Sequence, residues 1–167
     1  MRILVAYGPT CGSATGIAEL LAFALRAEGF DAFARPAAEV DDLEDVDAVV
    51  AGGSVCMGRW HGDARRFVRR HRAALTQRPV WLLSCGSDEG CSPRAGVALV
   101  TQVRTLMDRV NARGHAGIDA HLPGAVRLPT AAQPAQGQFD DWRDTEQVAR
   151  FARQIAAELH QQQVQPT

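Results

Sequence analysis

The four cysteines carry the most distinctive chemistry in this chain. Cys11, Cys56, Cys85 and Cys91 are widely spaced, and they form neither a CxxC pair nor a ferredoxin-type run. In a reducing compartment such thiols are free, redox-active or metal-bound, and thiolates suit zinc and iron–sulfur clusters. Cysteine also serves as a small apolar residue near the ends of buried strands. Their positions in the fold must decide between these uses.

The remaining ionisable residues narrow the chemistry further. All 18 cationic residues are arginines, so a Schiff-base lysine and the lysine of a P-loop are excluded. His61 is a weak candidate for a proton donor or a metal ligand, although a histidine at that position more often caps the following helix or faces water. The other four histidines are too scattered for a ligand set, and Asp140, Asp141 and Trp142 are typical of a helix start.

Composition predicts one globular domain. The chain has 167 residues, 46% of them hydrophobic, and a formal net charge of -1. We expect a single domain over residues 1–160 and a frayed tail over residues 161–167. The near-neutral charge argues against nucleic acid as the main partner, and no apolar run is long enough to span a bilayer. A cytoplasmic protein is the expectation.

Strand and helix patterns alternate along the whole chain. Short apolar runs predict strands over residues 2–7, 30–35, 48–51, 80–84 and 116–122. The first is stopped by Gly8 and Pro9 and the third by Gly52 and Gly53. Helical spacing predicts helices from residue 13 to a cap at Gly29, over about 62–75, between Pro93 and Gly114, and over 139–160.

This alternation predicts an α/β fold, a doubly wound three-layer sandwich. Five parallel strands in the order 2-1-3-4-5 would carry helices on both faces of the sheet. Ligands of such sheets bind beyond the carboxyl ends of the strands, so we expect the loops 8–15, 53–61 and 84–91 to line one site. All four cysteines fall in these three loops, which suggests that the thiols converge.

The same regions resemble the flavodoxin-like family, and specifically the menaquinone-dependent protoporphyrinogen dehydrogenase type. Three segments carry the resemblance: Ile3 to Tyr7 with Gly12 and Gly16 to Glu19; Gly53 to His61 with Phe67 to His71; and Phe139 to Trp142 with Val148 to Ala156. The sequence departs from that type late in the chain, because Ala125 to Gln138 is short and nearly uncharged where the dehydrogenases carry a long basic insert. This departure argues against a quinone partner and a porphyrin substrate.

The resemblance implies an FMN site built from the three loops. The first loop would cradle the phosphate at a helix start, and the other two would enclose the isoalloxazine ring, with Met57 and Trp60 placed to stack on it. Pro9 and Ala14 stand where the family has hydroxyl residues, so the phosphate site is reduced. The implied cofactor-binding residues are Thr10, Cys11, Gly12, Ser13, Ala14, Thr15, Ser54, Val55, Cys56, Met57, Gly58, Trp60, Ser84, Cys85 and Gly86.

Three functional hypotheses follow. The leading one is a redox or electron-transfer protein that binds FMN and exchanges electrons with an unidentified redox partner. Such a protein could be a flavin-dependent oxidoreductase. The second replaces FMN by zinc or an iron–sulfur cluster on Cys11, Cys56, Cys85 and Cys91. The third is an interaction module without a cofactor. Separately, the helix that carries Arg65 to Arg72 could receive an anionic partner, although a solvated helix face is the simpler interpretation.

Overall fold

The centre of the fold is a sheet whose strands are almost all parallel. The computed structural model describes residues 1–8, 13–56, 59–86, 95–118 and 142–164. In chain order the elements are β1 (Arg2–Gly8), α1 (Ser13–Ala27), β2 (Asp31–Pro36), β3 (Ala48–Cys56), β4 (Arg59–Trp60), α2 (Gly62–Arg70), α3 (Arg72–Leu75), β5 (Val80–Gly86), α4 (Ala95–Val110), β6 (Gly114–Ile118) and α5 (Trp142–Val164).

Five parallel strands have the order β2-β1-β3-β5-β6. The numbering differs from the predicted 2-1-3-4-5 because the two-residue strand β4, which the sequence did not predict, pairs antiparallel with β3. The α/β class and the doubly wound, flavodoxin-like arrangement are confirmed. None of the helices in the described ranges is long and apolar enough to cross a bilayer.

Two hydrophobic cores lie on opposite faces of the sheet, because successive strand residues point to opposite sides. Helices α1 and α5 cover one face, where Ile3, Val5, Leu83 and Ile155 are buried. Helices α2 and α4 cover the other, where Leu4, Val49, Leu82 and Phe67 are buried. Burial on both faces explains the continuous apolar runs of β1, β3 and β5.

The crossover from β2 to β3 contains no α-helix. Residues 37–39 form a single 3-10 turn, and the chain then returns along the sheet with Val40 and Leu43 buried in the α2–α4 core. The guanidinium group of Arg78 donates to the carbonyl groups of Leu43 and Val46 and so fixes this connection.

Three glycines that the sequence predicted to stop strands belong to the strands instead. Gly8 is the last residue of β1, and β3 runs through Gly52 and Gly53 to Cys56. A Cβ on Gly53 would lie 3.0 Å from the Cβ of Ala64, so this glycine lets α2 pack close to the strand. Gly53 therefore does not end β3 but allows Ala64 of α2 to pack closely against it.

Helix ends differ from the prediction in three places. Gly29 caps α1 with a φ of 92°, as predicted, but α4 ends at Val110 because Asn111 takes the left-handed conformation with a φ of 52°. Gly114 instead begins β6. The predicted helix over 62–75 is divided at the buried His71 into α2 and α3. At the carboxyl terminus, α5 continues to Val164, beyond the predicted start of the tail.

Candidate functional site

The three strands that precede the predicted site loops end close together at one edge of the sheet. Gly8, the last residue of β1, pairs with Gly53 of β3, and Gly53 pairs with Ser84 of β5. Strands β3 and β5 continue beyond this level to Cys56 and Gly86. This register brings together the strand ends that lead into the three predicted site loops.

His61 lies over this edge between β1 and β3. A Cβ on Gly8 would be only 2.7 Å from the Nδ1 atom of His61, so glycine is required for the imidazole to sit there. Nδ1 accepts a hydrogen bond of 3.3 Å from the backbone N–H of Asp63 and thereby caps α2. The capping role considered for His61 is the one that the structure contains. Because Nδ1 accepts, the neutral ring carries its proton on Nε2.

A hydrogen-bonded chain crosses the sheet behind the β3–β4 hairpin. The indole Nε1–H of Trp60 donates to the Ser84 hydroxyl at 2.8 Å, and the same Oγ lies 2.8 Å from Nε2 of His115. Desolvation of the ring lowers the pKa of His115. Because the Ser84 hydroxyl already accepts from Trp60, its own proton is available to this Nε2. The backbone N–H of Trp60 donates to Oε1 of Gln102 at 2.7 Å. The hairpin is therefore fixed to β5, β6 and α4 through one residue.

Trp60 is buried to 1% exposure in the α2–α4 core. In this arrangement the indole ring is part of the core, so the stacking of Trp60 on a flavin stays a prediction. Its N–H needs an acceptor in the core, and the buried Ser84 supplies it. Trp60 positions the hairpin.

The start of α1 forms the other end of the candidate site. Ala14 is buried, and the partly exposed Thr15 is hydrogen bonded through its side chain to Tyr7 at the end of β1. Burial raises the pKa of Tyr7, which keeps the phenol protonated. The 15-residue helix has no acidic residue in its first turn. Its N-terminal dipole therefore faces the sheet edge without a local anion to oppose a bound phosphate.

Cys85 points away from Ser84, into the α1–α5 core. It is 1% exposed, and burial raises the pKa of its thiol to about 12. A metal would have to displace that proton in an apolar environment. Among the residues that the structure describes, no cluster of histidine, cysteine, aspartate or glutamate could hold a metal ion.

Several predicted site residues lie outside the described residues: Thr10, Cys11, Gly12, Met57, Gly58 and Cys91. Ser13, Val55, Cys56 and Gly86 are located only by their backbone positions in α1, β3 and β5. Ser54 is buried at the end of β3, next to the hairpin. The predicted convergence of four thiols therefore remains a prediction.

Two residues of the hydrogen-bonded chain were missed by sequence reasoning. His115 was grouped with the histidines too scattered for a ligand set, and Gln102 was not singled out. Gln102 carries a weak signal, because it is an amide among the regularly spaced valines of α4. His115 carries none, since its role depends on the pairing of β5 with β6.

Solved structures similar to this one include several flavodoxins. A mutant flavodoxin from Pseudomonas aeruginosa has a TM-score of 0.65 at 19% identity, with 96% of this chain and 99% of that chain covered. A flavodoxin from the domain Archaea gives 0.63 at 16% identity, with 96% and 99% covered. Rubredoxin oxygen:oxidoreductase from Desulfovibrio gigas gives 0.68 at 14% identity, and the match covers 98% of this chain but 37% of that one. At these identities the likeness shows the fold.

The sequence itself identifies the family. No curated protein matches it significantly. The family model described as a flavodoxin domain matches residues 4–115, a range that runs from β1 to the start of β6 and includes all three loops of the candidate site. The chain belongs to the flavodoxin domain family.

Proposed function

We propose that this protein is a redox or electron-transfer protein that binds FMN at the carboxyl edge of its sheet. The observation that carries the proposal is the flavodoxin-domain match over residues 4–115. The register of Gly8, Gly53 and Ser84 supports it, because the carboxyl ends of three adjacent parallel strands then lie at one edge, where such sheets bind ligands. A cytoplasmic location is part of the proposal.

The described residues are compatible with FMN. The N-terminus of α1, with Thr15 in its first turn, would hold the phosphate, and Pro9 would remove one backbone donor from that loop. The hairpin that Trp60 fixes would present its backbone to the ring. Bound FMN supplies the ability to take up and release electrons, and the protein supplies orientation and a shielded environment. Nε2 of His61 is a proton-carrying atom beside this edge.

The proposal does not extend to two finer hypotheses. Likeness to the protoporphyrinogen dehydrogenases rests on sequence motifs, and the short, nearly uncharged segment 125–138 argues for electron transfer instead of porphyrin oxidation. A zinc or iron–sulfur site is not proposed, because the family match favours FMN and the buried thiol of Cys85 is protonated. A module without a cofactor is the outcome in which no ligand binds.

The first experiment is anaerobic purification, followed by a visible spectrum and metal analysis. We expect a two-banded yellow spectrum, stoichiometric FMN and no zinc or iron. Added FMN should raise the melting temperature of the apoprotein, since a ligand that binds only the native state stabilises it. Brown protein with iron, or colourless protein with stoichiometric zinc, would contradict the proposal.

Riboflavin is the matched control ligand because it lacks only the phosphate. If α1 holds the phosphate, FMN should stabilise the apoprotein more than riboflavin does, and Thr15→Val should reduce that difference. Cys85→Ser should leave FMN stoichiometry unchanged. Equal stabilisation by both flavins would place the phosphate elsewhere, and no stabilisation by either would favour the interaction module.

A further inference from the structure

Charge is strongly segregated along the middle of the chain. Residues 39–47 contain six acidic residues and no arginine, whereas residues 59–78 contain seven arginines and one acid, Asp63. The two segments are neighbours in space, because Arg70 donates to the carbonyl of Val40 and Arg78 to that of Leu43. These contacts use backbone oxygens, so the acidic and basic side chains are not consumed by pairing with one another.

Helix α2 presents its arginines on two flanks. Ala64, Phe67 and Val68 face the core. Arg66 pairs with Asp63, and Arg70 reaches toward residues 39–47, which we call the acidic connection. These two arginines therefore occupy the flank of α2 on that side. Arg65 and Arg69 are one turn apart on the opposite flank, which faces α4. Both are exposed.

Helices α3 and α4 pack together on the same face of the sheet as α2. The Nε atom of Arg72 donates to the backbone oxygen of Arg109, which joins α3 to the end of α4. Arg109 lies two turns from Gln102, whose side chain contacts Trp60, so both belong to the flank facing α2 and α3. The exposed arginines on these facing flanks form what we call the arginine stripe: Arg65, Arg69, Arg72 and Arg109.

No acidic side chain in the part of the chain that the structure describes forms an ion pair with an arginine of the stripe. The carboxylate of Asp63 is directed to Arg66 and His61, on the far flank of α2. One end of the stripe is Arg65, whose backbone N–H donates to the carbonyl of His61 beside the candidate site. The other end lies at Arg72 and Arg109. The stripe therefore leads from open surface to the edge at which FMN is proposed to bind.

We infer that the arginine stripe docks an acidic redox protein, so that electrons pass at the hairpin edge. This inference rests on the proposed FMN site. Carboxylates on a partner would complement the exposed guanidinium groups and steer the encounter. A long polyanion such as nucleic acid is disfavoured, because the acidic connection 39–47 flanks α2 and the whole chain carries a net charge of -1. A compact acidic protein can contact the arginine stripe without covering the acidic connection.

Two haem proteins of opposite charge test the inference. Reduced FMN-loaded protein is mixed in a stopped-flow instrument with ferric cytochrome b5, which is acidic, or with ferric cytochrome c, which is basic. Each Fe(III) haem takes one electron from the reduced flavin and becomes Fe(II). The rate with cytochrome b5 should fall at least about tenfold between roughly 10 and 150 mM salt, because screening removes the attraction. The rate with cytochrome c should not fall.

Matched double variants locate the effect. The double variant Arg65→Glu with Arg69→Glu should no longer reduce cytochrome b5 faster at low salt than at high salt. The double variant Arg150→Glu with Arg153→Glu makes the same charge change on α5 and should keep most of that rate increase. If both variants lose the rate increase equally, net charge explains the result and the docking site is refuted. A wild-type protein that reacts faster with cytochrome c at low salt would refute the docking site as well.

A binding measurement separates this inference from the FMN proposal. Titrating the 15N-labelled apoprotein with ferric cytochrome b5 should shift backbone resonances of residues 59–72 at low salt. These shifts in a protein that fails to bind FMN would support the stripe and reject the cofactor. Shifts confined to other surfaces would overturn the stripe, even if FMN binds.

Discussion

Replacing Ser84 by alanine should expose the energetic role of the hydrogen-bonded chain behind the hairpin. Ser84 is 2% exposed and accepts the indole proton of Trp60 at 2.8 Å. In Ser84→Ala that proton keeps no acceptor in the core, which costs about 1–3 kcal/mol. For a domain of this size a loss of about 2 kcal/mol lowers the melting temperature by about 4–8 °C. Urea unfolding and calorimetry of the apoprotein measure both quantities.

A double-mutant cycle tests the assignment to Trp60. Trp60→Phe removes the donor and keeps an aromatic ring, so Ser84→Ala should cost less in that background, with a coupling of about 1 kcal/mol. Thr76→Ala is the control, because it removes an exposed hydroxyl that bonds the carbonyl of Ala73 and should cost less than about 0.5 kcal/mol. The reasoning is refuted if Ser84→Ala is as stable as the wild type, or if its cost is unchanged beside phenylalanine.

Titration and packing give three further predictions. Burial lowers the pKa of His71 and desolvation lowers that of His115, so between pH 7 and 5 the unfolded chain binds protons before the native one does. The free energy of unfolding should therefore fall as the pH is lowered through this range. In urea titrations, His71→Gln and His115→Gln should each make the free energy of unfolding depend less on pH. A free energy of unfolding that rises toward pH 5 would contradict this. Burial raises the pKa of Cys85 to about 12, so this thiol should not react with an aromatic disulfide reagent at pH 8 until the protein unfolds. Counting reactive thiols in native and in denatured protein checks this. Gly8→Ala should displace His61 from the cap of α2 and lower stability by about 1 kcal/mol or more in thermal unfolding, whereas Gly62→Ala, which meets nothing within 4 Å, should not.

The strands were predictable because their apolar runs are buried on both faces. The roles of the glycines were predicted wrongly for a physical reason. In a sequence, a glycine after an apolar run indicates a turn. In the structure, Gly53 allows Ala64 to pack close to β3, and Gly8 allows His61 to pack close to β1. Such a requirement arises from the packing of α2 on β1 and β3, which no local pattern encodes. The break at His71 is similar, since it depends on a ring buried against Phe67 and on the guanidinium of Arg70.

The site was predictable in position but not in detail. The rule that ligands bind beyond the carboxyl ends of parallel strands located the three loops, and the register of Gly8, Gly53 and Ser84 agrees with it. The role of Trp60 was not predictable, because an aromatic residue in such a loop can stack on a ligand or fill a core. Its burial follows from the presence of Ser84, Gln102 and His115, which come from three other elements.

The two ends of the candidate site belong to different cores, and this makes them separable. Tyr7, Ala14 and Cys85 pack on the α1–α5 side, whereas Trp60 packs with Ala64 on the α2–α4 side. A change at the start of α1 should therefore alter phosphate affinity without moving the hairpin. Thr15→Val should weaken FMN more than riboflavin, whereas Ser84→Ala should weaken both flavins equally, because both carry the ring. If Ser84→Ala discriminates between the flavins as Thr15→Val does, the two cores are coupled and the proposed division of the site is wrong.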